Sequence, residues 1–298
     1  MNKTCIITAG PTAVGKTALA IRIAQYFSTE IISADSRQCY KELNIGVAKP
    51  SIVELKQVKH HFINSHSIHD NVNAIVFEKY ALQKTEEIFQ NNDFVVMAGG
   101  TGLYLKAFCE GMDDIPEIPA EIREQIIKEY KTNGNVWLQK QVQEKDPAYF
   151  AAGEIKNPQR LMRALEVKLA TGISITEFQN EQKKQRSFNI IKIGLELPRE
   201  ILYQNINNRV DEMMKNGLLD EAKSLVSFQY LNALQTVGYK ELFEHINGHT
   251  TLQESISKIK LNTRHYAKRQ LTWFKKDSEI KWCNVDFNAV LQIINAAK

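Results

Sequence analysis

The chain has 298 residues, 43% hydrophobic and 24% charged, with a net charge of +4. That length buries a full core without staples, which excludes disordered, collagen-like and mini-protein classes. A total of +4 is too small by itself to announce a nucleic-acid partner. In chain order, CIIT predicts a strand over 4–8 and TALAIRIAQYF a helix over 17–27. EIISAD predicts a second strand, 74–90 an amphipathic helix, and FVVMAGG a third strand. This β-α-β rhythm implies a parallel sheet with covering helices. From about Pro116 the pattern becomes Glu/Lys/Gln-rich, with helices expected near 120–131, 136–144, 158–171 and 174–184. IIKIGLEL, 190–197, reads as a buried strand, and helical segments follow Pro198 up to a last strand near 280–285.

The opening MNKTCIITAG has a short apolar run and then a glycine turn, which leaves no room for a signal peptide. No apolar run approaches the ~20 residues of a membrane span. Cys5, Cys39, Cys109 and Cys283 are far apart and form no CxxC pair, so a reducing cytoplasm is expected and no zinc ribbon or disulfide framework. No feature asks for a second subunit, and a monomer is expected.

Residues 10–17, GPTAVGKT, match G-x-x-x-x-G-K-[ST] between the first strand and the first helix. In that context the glycines let the loop of Gly10, Pro11, Thr12, Ala13, Val14 and Gly15 curl its available backbone amides around phosphate oxygens. Lys16 adds a point charge, the helix N-terminus its partial charge, and Thr17 a hydroxyl for Mg²⁺. The expected fold class is therefore α/β. A P-loop NTPase-like core of residues 1–115 and 187–298, with a parallel sheet and flanking helices, is interrupted by an all-helical insertion over 116–186.

Asp35 follows the second strand, where a doubly wound sheet presents groups to its ligand crevice. It could hold Mg²⁺, accept a proton, or simply cap a turn. AGGTGLY, 98–104, is another glycine turn into a helix, with Thr101 as a crevice hydroxyl or a cap. Between Ser255 and Lys281 eight basic residues face two acids, so the rest of the chain is slightly acidic. His60, His61, His66 and His69 lie within ten residues, but adjacent histidines in a strand point to opposite faces and no acid or thiol completes a metal set.

The chain resembles the tRNA dimethylallyltransferase (isopentenyltransferase) family, bacterial type, without the C-terminal Cys/His finger of eukaryotic relatives. GPTAVGKT, DSRQCY, IGVAKP, HHFIN, GGTGLY, NPQRLMRALEV, RVDEMMKNGLLDEA, TVGYKEL and TRHYAKRQLTWF occur in family order. Departures are Arg37 where Met is common, Cys39 for Val, Val47 for Thr and Asn64 for Asp.

The resemblance implies transfer of a dimethylallyl group from dimethylallyl diphosphate to the exocyclic amine of the adenosine 3′ to the anticodon. The tRNAs concerned read codons that begin with U. It implies Asp35 as base, with Thr101, Lys16 and Arg209 completing the catalytic set, Arg209 on the diphosphate, and Mg²⁺ near Thr17. Toward the tRNA anticodon stem-loop it implies Asp35, Ser36, Arg37, Gln38, Thr101 and Arg123. From NPQRLMRALEV it adds Gln159, Arg160, Leu161, Met162 and Arg163, and from TVGYKEL Gly238, Tyr239 and Lys240. The C-terminal helix adds Arg264, Lys268, Arg269, Gln270, Trp273 and Lys275. Arg163 could instead pair with Glu166 on its own helix. The competing functions are a P-loop kinase or NTPase, and an adenylate isopentenyltransferase acting on free nucleotides.

Overall fold

The computed structural model describes residues 3–179 and 183–297. The chain forms two compact units, Met1–Glu110 with Gln185–Lys298, and Gly111–Lys184.

The elements run β1 (Thr4–Ala9), α1 (Lys16–Tyr26), β2 (Ile31–Ser33), α2 (Ile52–Gln57), β3 (His60–His61), α3 (Ala74–Phe89), β4 (Phe94–Gly99) and α4 (Gly102–Glu110). The second unit holds α5 (Ala120–Lys145), α6 (Pro147–Ala152), α7 (Pro158–Thr171) and α8 (Ile175–Phe178). The first unit resumes with β5 (Asn189–Leu195), α9 (Arg199–Lys215), α10 (Leu218–Ser224), α11 (Tyr239–Ile246), α12 (Leu252–Phe274), β6 (Lys281–Cys283) and α13 (Phe287–Ala296). Among the described residues no helix is long and apolar enough to cross a membrane.

One parallel sheet has the order β3-β2-β4-β1-β5-β6. Every residue of β1 is buried. That follows from its central place, since a parallel strand covered by helices on both faces is apolar throughout. Leu19, Ile23, Ile206, Val290 and Ile294 pack one core around α1, α9 and α13. Phe77 and Tyr104 stack at 4.5 Å between α3 and α4. Register pairs Ala9 with both Gly99 and Gly194, and Ser33 with Ala98. The carboxyl ends of β1, β2, β4 and β5 therefore lie side by side, and their loops share one crevice.

The second unit packs α5 against α7 through Ile126, Leu138, Val142, Leu161 and Leu165. α5 is broken at Gly134, where φ is +74°, at the gap between the two helices expected there. The helix expected over 174–184 stops at Phe178, and Gln179 is extended. Residues 183–188 are not helical and 180–182 lie outside the described residues. The stretch KKQR, 183–186, offers no apolar stripe to bury, so nothing holds a helix there. β3, two residues paired with Ile31 and Ile32, is too short to leave an alternating pattern.

Candidate active site

The loop from Gly10 to Gly15 turns from β1 into α1. Gly10 has φ +149°, and a Cβ there would sit 2.8 Å from the Leu195 carbonyl oxygen. Ala13, at φ +64°, takes a conformation that side chains rarely adopt. Gly15, at φ +104°, begins the helix with no side-chain cap, so no side chain competes for the first-turn amides. Lys16 Nζ donates to the Gly10 and Pro11 carbonyls at 3.0 and 2.7 Å. Burial lowers its pKa to about 7; Asp35 works against that shift and Arg209 adds to it. The Thr12 hydroxyl accepts from Arg209 Nη1 at 3.5 Å.

Asp35 caps the turn after β2: its Oδ1 accepts from the Arg37 and Gln38 amides at 2.8 and 3.2 Å. Capping and functional roles are therefore compatible, because one oxygen holds the turn while the carboxylate lines the cavity. Thr101 joins two strand ends. Its amide donates to Ala34 O at 3.2 Å, and its Oγ1 accepts from the Ser36 amide at 3.0 Å. The glycines of this turn are set by close approach, since a Cβ on Gly99 would lie 2.1 Å from Ala34 O and one on Gly102 2.2 Å from the Trp273 ring.

Of these groups, Thr12, Asp35, Ser36, Arg37 and Arg209 border a cavity of about 540 Å³. Thr12 and Arg209 mark its phosphate side, and Asp35, Ser36, Arg37, Lys240, Tyr266 and Arg269 line it too. Val47, Val210, Met213, Leu218 and Ile259 supply an apolar wall. Tyr266, absent from the sequence-derived site, interacts with the Thr101 side chain, and burial followed by the charge of Asp35 pushes its hydroxyl up to about 12. Helical phase was the available signal: Ile259, Asn262, Thr263, Tyr266, Arg269 and Gln270 recur at three- and four-residue spacing.

Several expected contacts are structural. Gln270 is buried; it accepts from the Thr12 amide and donates to Gly100 O, each at 2.8 Å, and so ties the phosphate loop to the β4–α4 turn. Tyr239 is wholly buried, and its hydroxyl donates to Glu221 at 2.6 Å. Glu221 also accepts from the Ile45 and Gly46 amides. Gln38 Nε2 donates to the Ala48 carbonyl at 3.0 Å and its Oε1 accepts from the Ser33 hydroxyl at 3.1 Å, fixing the other side of that loop. Gly238, at φ +102°, supplies backbone to the cavity.

In the second unit Leu161 and Met162 belong to the helical core, so their side chains cannot face RNA. Gln159 and Arg160 are exposed. Arg163 pairs with Glu166 at 3.3 Å, and Arg123 approaches the same carboxylate at 3.7 Å. On α12, Arg264 stacks on Tyr203 at 5.7 Å and Lys268 is exposed, and Lys275, just past its end, pairs with Glu196 at 3.5 Å. Arg37 donates to Asn232 O at 2.8 Å.

The histidines are engaged separately. His60 bonds to Val58 O and His66 to Ser65 Oγ, His61 pairs with Glu30, and His69 meets the Phe228 ring edge-on. Among the described residues no group of three or more His, Cys, Asp or Glu could hold a metal. Thr17, in the first turn of α1, offers one hard hydroxyl oxygen of the kind Mg²⁺ takes when substrate phosphates complete the set.

A family model described as IPP transferase matches residues 38–277. The tRNA dimethylallyltransferase of Christiangramia forsetii is 49% identical, over 97% of this chain and 96% of its own. The tRNA dimethylallyltransferase 1 of Bacteroides fragilis is 46% identical, over 94% and 93%. The crystal structure of the tRNA isopentenylpyrophosphate transferase from Bacillus halodurans superposes with a TM-score of 0.70 at 34% identity, over 100% of this chain and 95% of that one. A eukaryotic dimethylallyltransferase acting on tRNA gives 0.79 at 27% identity, over 96% and 75%. With the phosphate loop, the strand-end acid and the apolar wall on one cavity, and with relatives this similar over nearly the whole length, the chain belongs to the IPP transferase family.

Proposed function

We propose that this protein transfers the dimethylallyl group of dimethylallyl diphosphate to the exocyclic amine of the adenosine 3′-adjacent to the anticodon, in tRNAs that read codons beginning with U. The observation that carries the reading is one cavity bordered by a phosphate loop, a carboxylate and a buried apolar wall. In the reaction the amine nitrogen bonds to the allylic carbon, that carbon's bond to the diphosphate oxygen breaks, and the amine proton passes to Asp35. The amine is a poor nucleophile because its lone pair is delocalised into the ring, so a base placed at the strand end matters. Lys16, the loop amides and Arg209 receive the charge that builds on the leaving diphosphate. Mg²⁺, held by Thr17 and the substrate phosphates, would neutralise part of that charge. The apolar wall of Val210, Met213, Leu218 and Ile259 shields the electron-poor allylic group from water.

The target base must leave its stack to enter such a cavity. Ser36, Arg37, Lys240 and Arg269 at the cavity, with Gln159, Arg160, Arg123 and Arg163 on the helical unit and Lys268 on α12, are the groups proposed to face the RNA. Incubation with dimethylallyl diphosphate, Mg²⁺ and unmodified tRNA, followed by nucleoside mass analysis, is expected to yield isopentenyladenosine. Absence of the product, with fast nucleotide turnover in its place, would favour an NTPase.

A further inference from the structure

We infer that Glu166 is a positioning residue that holds Arg123 and Arg163 as one preformed clamp of two guanidinium groups for a phosphate of the RNA backbone. The inference rests on the helical unit contacting RNA. Glu166 lies on α7, only 2% exposed, among core residues that include Leu165 and Val167. An acid in such a place must be compensated, because a buried carboxylate without a partner is strongly destabilising. Its two oxygens are divided between two helices: Oε2 takes Arg163 Nη1 at 3.3 Å and Oε1 faces Arg123 Nε of α5 at 3.7 Å.

Each arginine engages through one nitrogen, which leaves other donors of each fork for a ligand. The side chains remain 38% and 56% exposed. Two cations on one anion keep a net positive charge, and a phosphate offers the oxygen geometry that the forks match. A free surface arginine must be ordered when RNA binds, whereas this pair is ordered on folding by the need of the buried acid.

The test has an unusual sign. Charge counting alone says that removing an acid strengthens RNA binding, whereas a positioning role says that Glu166→Gln weakens it, by about tenfold. The affinity of the full-length protein for unmodified tRNA would be measured by fluorescence anisotropy over a salt series. The variants are Glu166→Gln, the double Arg123→Ala/Arg163→Ala, and the triple. The expected result is a loss for Glu166→Gln that disappears in the background lacking both arginines. A gain in affinity, or a loss that adds in full to that of the double variant, would overturn the clamp. Unchanged affinity in the double variant would overturn the RNA-contact reading beneath it. A second variant spares Glu166: Arg123→Lys with Arg163→Lys keeps both charges but not the forks. It is expected to lose affinity at an unchanged salt slope, and full retention would contradict the clamp.

Discussion

Asp35 has two tasks. Its Oδ1 holds the turn that places Arg37 and Gln38, and its carboxylate faces the cavity as the proposed base. Asparagine keeps the capping oxygen and loses the basicity. Asp35→Asn is therefore expected to lower the transfer rate by about 10²–10⁴-fold with little change in tRNA affinity; parallel loss of both would make it a binding residue. Lys16 makes a separate prediction. With its pKa lowered from 10.5 to about 7, it is mostly uncharged in the free protein above that pH, while a bound diphosphate favours the charged form. Binding should then take up a proton above about pH 7, and affinity should fall as pH rises from there. Calorimetry at pH 8 in buffers of different ionisation enthalpy is expected to show greater uptake than in Lys16→Arg, whose guanidinium stays charged. Equal uptake would mean that Lys16 is already charged.

At the scale of elements, α12 matters as a brace as well as a basic surface. Gln270 satisfies the Thr12 amide and the Gly100 carbonyl together. Gln270→Leu would leave both without that partner, costing about 2–6 kcal/mol at roughly 1–3 kcal/mol per unsatisfied buried group. A lower melting temperature together with weaker diphosphate binding is expected, and undiminished diphosphate affinity would refute the brace. The phosphate loop, its flanking strand and helix, and the GGTG turn were legible because glycine spacing and apolar runs are local signals. The roles of Gln270, Tyr239, Leu161 and Met162 were not, because motif membership says nothing of which way a helical residue points. Helical phase separates Arg160 and Arg163 from Leu161 and Leu165 on α7. It also sets Tyr266 and Gln270 apart from Arg264 and Lys268 on α12. The pairing of Arg163 with Glu166 could be read from three-residue spacing, but the arrival of Arg123 at the same carboxylate is tertiary and left no trace in local sequence.

For the whole molecule, the weak net charge of +4 conceals a division between a slightly acidic body and a basic C-terminal segment. Part of that basic excess is already neutralised, by Asp211 on Lys260 and Glu196 on Lys275. RNA attraction should accordingly rest on few residues. Removing exposed Arg160 or Lys268 is expected to flatten the salt dependence of tRNA binding by about one unit each, and an unchanged slope would deny them phosphate contacts. The central claim is that one cavity joins an allylic diphosphate to an RNA adenine. Its most direct measurement is transfer of labelled dimethylallyl in parallel reactions with AMP, with an unmodified tRNA, and with the same tRNA carrying guanosine in place of the adenosine after the anticodon. Label on the adenosine-bearing tRNA alone is the predicted result. Label on AMP, or equal label on both tRNAs, would contradict it.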